Sequence, residues 1–334
     1  MKSHCTDQDG GENIYQQLGV KRRINAAGTL TRLGGALMAP EVIAAMASAA
    51  TSSIDIGELQ AAASRTISDI TGAEAGIVTT GASAALTLAC AASMTRWDIA
   101  KMAALPHVES FAHEVLIMRT HRTGYSNALR ASGARLVDIG HNDRGTGAGV
   151  RGIEPWEIEA SISSKTAAFA FSATPENMID LPTVVSVCRL HNIPVIVDAA
   201  AQIPPVSNLW HFTRDAGADV VLFSGGKGLR GPQTTGLILG KAEIINTAAK
   251  FAAPNTTKAR SLKVGKEEIF AILKAVEMYV NADHEEQARV WNAICDQWVI
   301  DFSEVSGFKP SKMALNEAGQ PLPRIKIEID HKVF

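Results

Sequence analysis

Short, wholly apolar runs alternate along this chain with longer stretches of helical spacing. The apolar runs are Ala75-Gly-Ile-Val-Thr-Thr80, Val115–Met118, Ala134–Ile139, Ala167–Phe171, Pro194–Val197, Val220–Phe223 and Gly236–Leu239, each bounded by Gly, Pro, Asp or Ser. A strand buried on both faces needs this kind of run, because neither side meets water. Between them, Glu41–Ala50 opens behind Pro40, Ile54–Ile70 closes at Thr71-Gly72, and an Ala/Leu-rich stretch runs from Ser83 to about Met94. Leu181–His191 and Asn208–Ala216 also carry helical spacing. Unalternating strands separated by helices predict a mostly parallel α/β sheet covered on both faces. The last two strands are too close for a crossover helix, which predicts an antiparallel neighbour there.

After Pro254 the pattern changes. A helix is expected over Lys266–Asn281 and another to about Ile300, and the alternation Arg324-Ile-Lys-Ile-Glu-Ile-Asp330 predicts a closing strand. The reading is an irregular N-terminal arm (1–27), a large α/β domain (28–255) and a small α+β domain (256–334).

Composition narrows the class of partner. The chain has 334 residues, 46% hydrophobic and 20% charged, with a formal net charge of −2. That balance argues against a protein built to bind polyphosphate backbones, and 5% aromatic residues leave little for stacking on single-stranded nucleic acid. Cys5, Cys90, Cys188 and Cys295 are too far apart for zinc-ligand spacing or a disulfide framework, so they read as small buried hydrophobes, and no metal is expected. The N-terminus shows no apolar signal core and no run is long enough to span a membrane, so the expectation is a cytoplasmic protein acting on a small molecule.

Three features stand at predicted strand ends, where parallel α/β sheets bind ligands. Gly81-Ala82-Ser83 lies between a strand and a helix, where first-turn N–H groups and the Ser83 hydroxyl make an anion site. Asp198 ends the apolar run Ile193–Val197, a position that favours a cationic partner, unless the carboxylate simply caps the next helix. Lys227 sits in Ser224-Gly-Gly-Lys-Gly-Leu-Arg-Gly-Pro-Gln233, flanked by glycines that let a flat ligand approach. This is not a phosphate-binding P-loop: Val221 stands where the first Gly should be, and Gly228 follows the lysine in place of Ser or Thr. Anion site, strand-end Asp and Gly-flanked Lys together suit pyridoxal 5′-phosphate (PLP).

The stretches Tyr15–Gly35, Ile70–Ser83 and Ser224–Gln233 resemble the selenocysteine-synthase-like branch of the fold-type I PLP enzymes, and are similar to its D-glucosaminate-6-phosphate ammonia-lyase group. The resemblance runs from about residue 13 to 290. It implies an aspartate-aminotransferase-like large domain, PLP, and a homodimer or higher homo-oligomer in which the Asn25–Gly35 segment crosses to the second subunit. It implies Lys227 as the Schiff-base lysine, Asp198 as the partner of the pyridine nitrogen, and Gly81, Ala82 and Ser83 as the phosphate loop, with Ser224 adding a phosphate contact. His121 falls where the family covers the cofactor's face. Thr29, Arg32, Arg122, Arg230 and Arg260 are candidates for the substrate, since Arg pairs with carboxylate or phosphate in two-pronged fashion.

The implied activity is a PLP-dependent ammonia lyase that removes water and ammonia from a β-hydroxy amino acid or amino-sugar acid, giving a 2-keto-3-deoxy acid. The same carbanion chemistry would serve β-replacement, a racemase or an aldolase, and a non-catalytic paralogue is the alternative of a different class. The chain has no room for the tRNA-binding N-terminal domain of selenocysteine synthase, in line with its charge. Its C-terminal region is short for such a fold, which leaves truncation, a divergent small domain and loss of activity open.

Overall fold

The computed structural model describes residues 14–141 and 152–333. Seven strands form one sheet: β1 (Ala75–Thr79), β2 (Glu114–Met118), β3 (Arg135–Ile139), β4 (Thr166–Ser172), β5 (Val195–Asp198), β6 (Val220–Ser224) and β7 (Gly236–Gly240), in the order β1-β7-β6-β5-β4-β2-β3. β7 runs antiparallel to both its neighbours, as its closeness to β6 in sequence requires. The other six share one direction, so their carboxyl ends lie along one edge. All seven apolar runs are strands, within a residue or two.

Each face of the sheet carries its own hydrophobic core. One is closed by the Ala82–Thr95 helix, which is buried nearly all round; its alanines let the backbone lie close to the strands. The other takes in the Ile56–Thr71 helix, whose Asp55 cap accepts from the Glu58 N–H at 2.9 Å, and the Leu181–Leu190 helix. Cys90, Cys188 and Cys295 are free and buried, the role the sequence suggested; Cys5 lies outside the described residues.

The second unit differs from expectation in two ways. The Lys266–Val280 helix packs Ile269, Ile272 and Val276 into the core of the large unit, so the proposed division after residue 255 follows the sequence pattern more than the packing. β8 (Phe308–Met313) pairs antiparallel with β9 (Arg324–Ile329), and the His284–Ser303 helix lies against them. Only β9 is legible in the sequence. Pro310 and two lysines hide β8, and a two-stranded sheet tolerates Pro because both strands are edges. Asn208–Ala216 also departs from a regular helix: after Trp210 it widens to i→i+5 bonding, with the Ala216 N–H donating to His211 O.

Candidate active site

The strand register gathers the predicted residues at one edge. Ser172 lies beside Asp198 across β4 and β5, and Gly236 sits between Thr79 and Ser224 across β1, β7 and β6. A Cβ on Gly236 would stand 2.6 Å from the Gly81 carbonyl carbon, so the start of β7 lies directly against the loop that opens the Ala82–Thr95 helix. Gly81 has φ +87°, a conformation that favours glycine, and open space on its Cβ side. The first intrahelical bond runs from the Ala85 N–H to Gly81 O, which leaves the Ala82, Ser83 and Ala84 N–H groups without helical partners. The helix end and Ser224 therefore share a neighbourhood that suits a phosphate.

Asp198 ends β5, half-buried, and one of its oxygens accepts from the Ala200 N–H at 3.0 Å. Burial pushes its carboxyl above the ordinary value; the Ala200 N–H and the Lys227 charge oppose that shift. Lys227 follows β6 in a turn. Burial pushes its amine down, while Asp198 and Glu317 pull it back up. A carboxylate left short of compensation and a desolvated amine suit a cationic ring nitrogen and a carbonyl carbon, respectively. On these observations the residues present fit the cofactor that the sequence implied.

His121 is buried in the short turn that follows β2, edge-on to Phe171 of β4 with ring centroids 4.7 Å apart, and lines a small cavity with Asp198 and Ser172. Both ring nitrogens face N–H donors: the Ser172 N–H at 3.3 Å from Nδ1 and Asn177 Nδ2 at 2.8 Å from Nε2. Asn177 is fixed in that orientation, since its Nδ2 also donates to Ser172 O and its Oδ1 accepts from the Thr174 N–H. Burial pushes His121 down to about 4, and an imidazolium would oppose both neighbours. His121 is therefore a neutral ring at physiological pH and offers a surface, not a proton.

Lys227 opens onto a cavity of about 410 Å³ that Thr29 also lines. The four candidate arginines do not line it. Arg32 is exposed in the turn Thr31–Leu33. Arg122 is paired with Asp138 at 3.2 Å. Arg230 donates through Nε to Leu37 O at 3.2 Å and so fastens the N-terminal segment. Arg260 is exposed in the turn that follows the Ala242–Phe251 helix. The cavity is lined instead by Glu317 and Arg324, which the sequence reading missed.

The Asn25–Gly35 segment, which the resemblance carries to a second subunit, also touches the lysine loop of its own chain. Gln233 Nε2 donates to Thr31 O at 2.6 Å, and the Ala36 N–H donates to Gly226 O at 2.9 Å. Thr29 thereby reaches Lys227 within one chain.

The profile of the L-seryl-tRNA selenium transferase (SelA) family matches residues 193–294, which include Asp198 and Lys227. A D-glucosaminate-6-phosphate ammonia lyase of Salmonella typhimurium is 33% identical over 326 residues, spanning 95% of this chain and 82% of that protein. The solved structure of a D-glucosaminate-6-phosphate ammonia-lyase superposes with a TM-score of 0.81 at 31% identity, covering 96% of this chain and 83% of the other. An aminotransferase of Helicobacter pylori, 13% identical with a TM-score of 0.53 over 82% of this chain and 71% of its own, shares the fold alone. The fold-type I, aminotransferase-like architecture expected from the sequence is thus the one observed.

Proposed function

From the premise that this chain belongs to the family of D-glucosaminate-6-phosphate ammonia lyase, within the wider selenocysteine-synthase-like group, we propose that it is a PLP-dependent ammonia lyase acting on an amino-sugar acid or β-hydroxy amino acid. The observation that carries this reading is the placement of Asp198 and Lys227 at the ends of neighbouring strands, with a helix N-terminus beside them.

In this reading the Ala82–Thr95 helix end and Ser224 would hold the cofactor's phosphate, Asp198 would keep a proton on its ring nitrogen, and the neutral ring of His121 would offer a surface to pack against. A bound PLP would supply an electron sink conjugated with the substrate's Cα, making the Cα proton acidic. Lys227 Nζ would take that proton, and the burial that lowers its pKa helps by keeping more of the amine in the neutral form that can accept one. The β-hydroxyl leaves as water, and hydrolysis returns a water and releases ammonia, so the net loss is ammonia and the product is a 2-keto-3-deoxy acid. Ammonia and 2-keto acid should appear in equal amounts when the PLP-loaded protein is given D-glucosaminate 6-phosphate, unphosphorylated D-glucosaminate or serine. Release from none of the three would overturn the reading.

The chain is further proposed to act as a homodimer or a multiple of one. Support comes from the arm that precedes the docked segment: Ile14, Leu18, Val20 and Ile24 are all exposed, Ile24 completely, and a second copy is the cover we assign to them. Trp97 and Ile99 add an exposed apolar patch on the body. Sedimentation at micromolar concentration should give at least a dimer, and a monomer that remains active would sink this assignment.

A further inference from the structure

The loop between β8 and β9 turns back over the lysine cavity, carrying Asn316, Glu317 and Ala318 to its wall, while Arg324 at the start of β9 completes that side. The loop is firmly built. Asn316 Oδ1 accepts from the Ala318 and Gln320 N–H groups, both at 2.9 Å, and the Asn316 N–H donates to Gln320 O at 3.0 Å. It is also fastened to the large unit: Gln320, fully buried, donates to Gln202 Oε1 just beyond β5, and Gly319 packs on Pro175. Glu317 is thereby held between Gly28 on one side and Arg324, 2.7 Å away, on the other, and its charge is felt by Lys227.

We propose that Glu317, braced by Arg324, is a specificity-determining residue that binds hydroxyl groups on the substrate's carbon chain and so selects a polyhydroxylated amino acid over a short one. This rests on the lyase reading above and deepens it. The ion pair keeps a carboxylate acceptor and guanidinium donors side by side with no net charge. Adjacent hydroxyls, each both donor and acceptor, match that pattern. A lone cation or anion would meet an opposing charge of its own sign beside the attractive one. The cavity is also large for a three-carbon substrate: about 410 Å³ falls in the range of sites that enclose a whole small-molecule ligand. A site built to hydrogen-bond a hydroxyl discriminates against analogues that lack it, because its own polar groups are then left unpaired.

The test uses D-gluconate 6-phosphate, which carries the chain hydroxyls and has no amine to react, with calorimetric affinity as the readout on the PLP-loaded protein. Glu317→Ala should weaken its binding by at least about tenfold, the scale of one hydrogen bond to a charged group, and leave serine binding within twofold. Cofactor content, measured as PLP released on denaturation, should be unchanged, since Glu317 is outside the Gly81–Ser83 loop proposed to hold the phosphate. Glu317→Gln, which keeps the shape and one acceptor oxygen, serves as the second variant and should lose less. Wild-type affinity for D-gluconate 6-phosphate in Glu317→Ala, or an equal loss for serine, would overturn the assignment while leaving the lyase reading intact. Failure of the wild-type protein to bind D-gluconate 6-phosphate at all would overturn both this assignment and the amino-sugar reading beneath it.

Discussion

Lys227→Ala is expected to lower ammonia release by at least roughly 10³-fold and to abolish borohydride-reducible attachment of PLP. A positioned proton acceptor contributes about 10²–10⁴-fold by itself, and covalent attachment is lost with it. Among the described residues no other lysine lines the cavity, so none of their amines is placed to substitute. The loop proposed to hold the phosphate is untouched by the substitution, because Gly81, Gly236 and the end of the Ala82–Thr95 helix are positioned by the sheet and not by the lysine. Cofactor should therefore still bind, more weakly and without covalent linkage. Peptide mapping after reduction of the wild-type protein should recover the label at Lys227. A label on another lysine, or a variant with near-native turnover, would remove Lys227 from the chemistry.

The parts of this site that one dimension reveals are those where polarity breaks an apolar run. Asp198 and Lys227 were visible because one ends an otherwise apolar strand and the other stands in the glycine-rich turn just after one. The sheet itself was legible for the same reason: strands buried on both faces must be apolar throughout. The substrate side was not legible. An arginine's availability depends on what it meets, and Arg122 meets Asp138 while Arg230 meets a backbone carbonyl near the N-terminus. Neither partner is close in sequence. Glu317 lies within a polar loop that resembles any surface connection, Arg324 follows that loop at the start of β9, and Pro310 conceals the strand leading into it. What carries that loop to the lysine is a bond between two neutral amides, Gln320 and Gln202, 118 residues apart. No periodicity or charge pattern announces such a pair.

Asp198→Asn is expected to separate stability from catalysis, moving them in opposite directions. In the loaded enzyme the carboxylate's partner would be a protonated ring nitrogen, and a hydrogen bond between charged groups is worth about 1.5–3 kcal/mol, or roughly 10–150-fold in rate. The variant should lose at least tenfold in kcat with a smaller loss in cofactor affinity, since the phosphate contacts remain. Without cofactor the sign reverses. Burial raises the Asp198 carboxyl in the folded chain above its ordinary value of 3.8. Between that value and the raised one, the folded state holds a proton that the unfolded state has released. Stability is therefore lost as pH rises through this window, and the deficit persists above it. Asparagine carries no charge to desolvate and still offers an acceptor oxygen to the Ala200 N–H. The cofactor-free variant should thus melt at or above the wild-type temperature at pH 7, and the difference should shrink as pH falls toward 4. An unchanged kcat would move the ring-nitrogen partner elsewhere. A cofactor-free variant less stable than wild type at pH 7 would mean that Lys227 and the Ala200 N–H already compensate the carboxylate, and that Asp198 is a structural anion and not a charge held ready for a cationic ring.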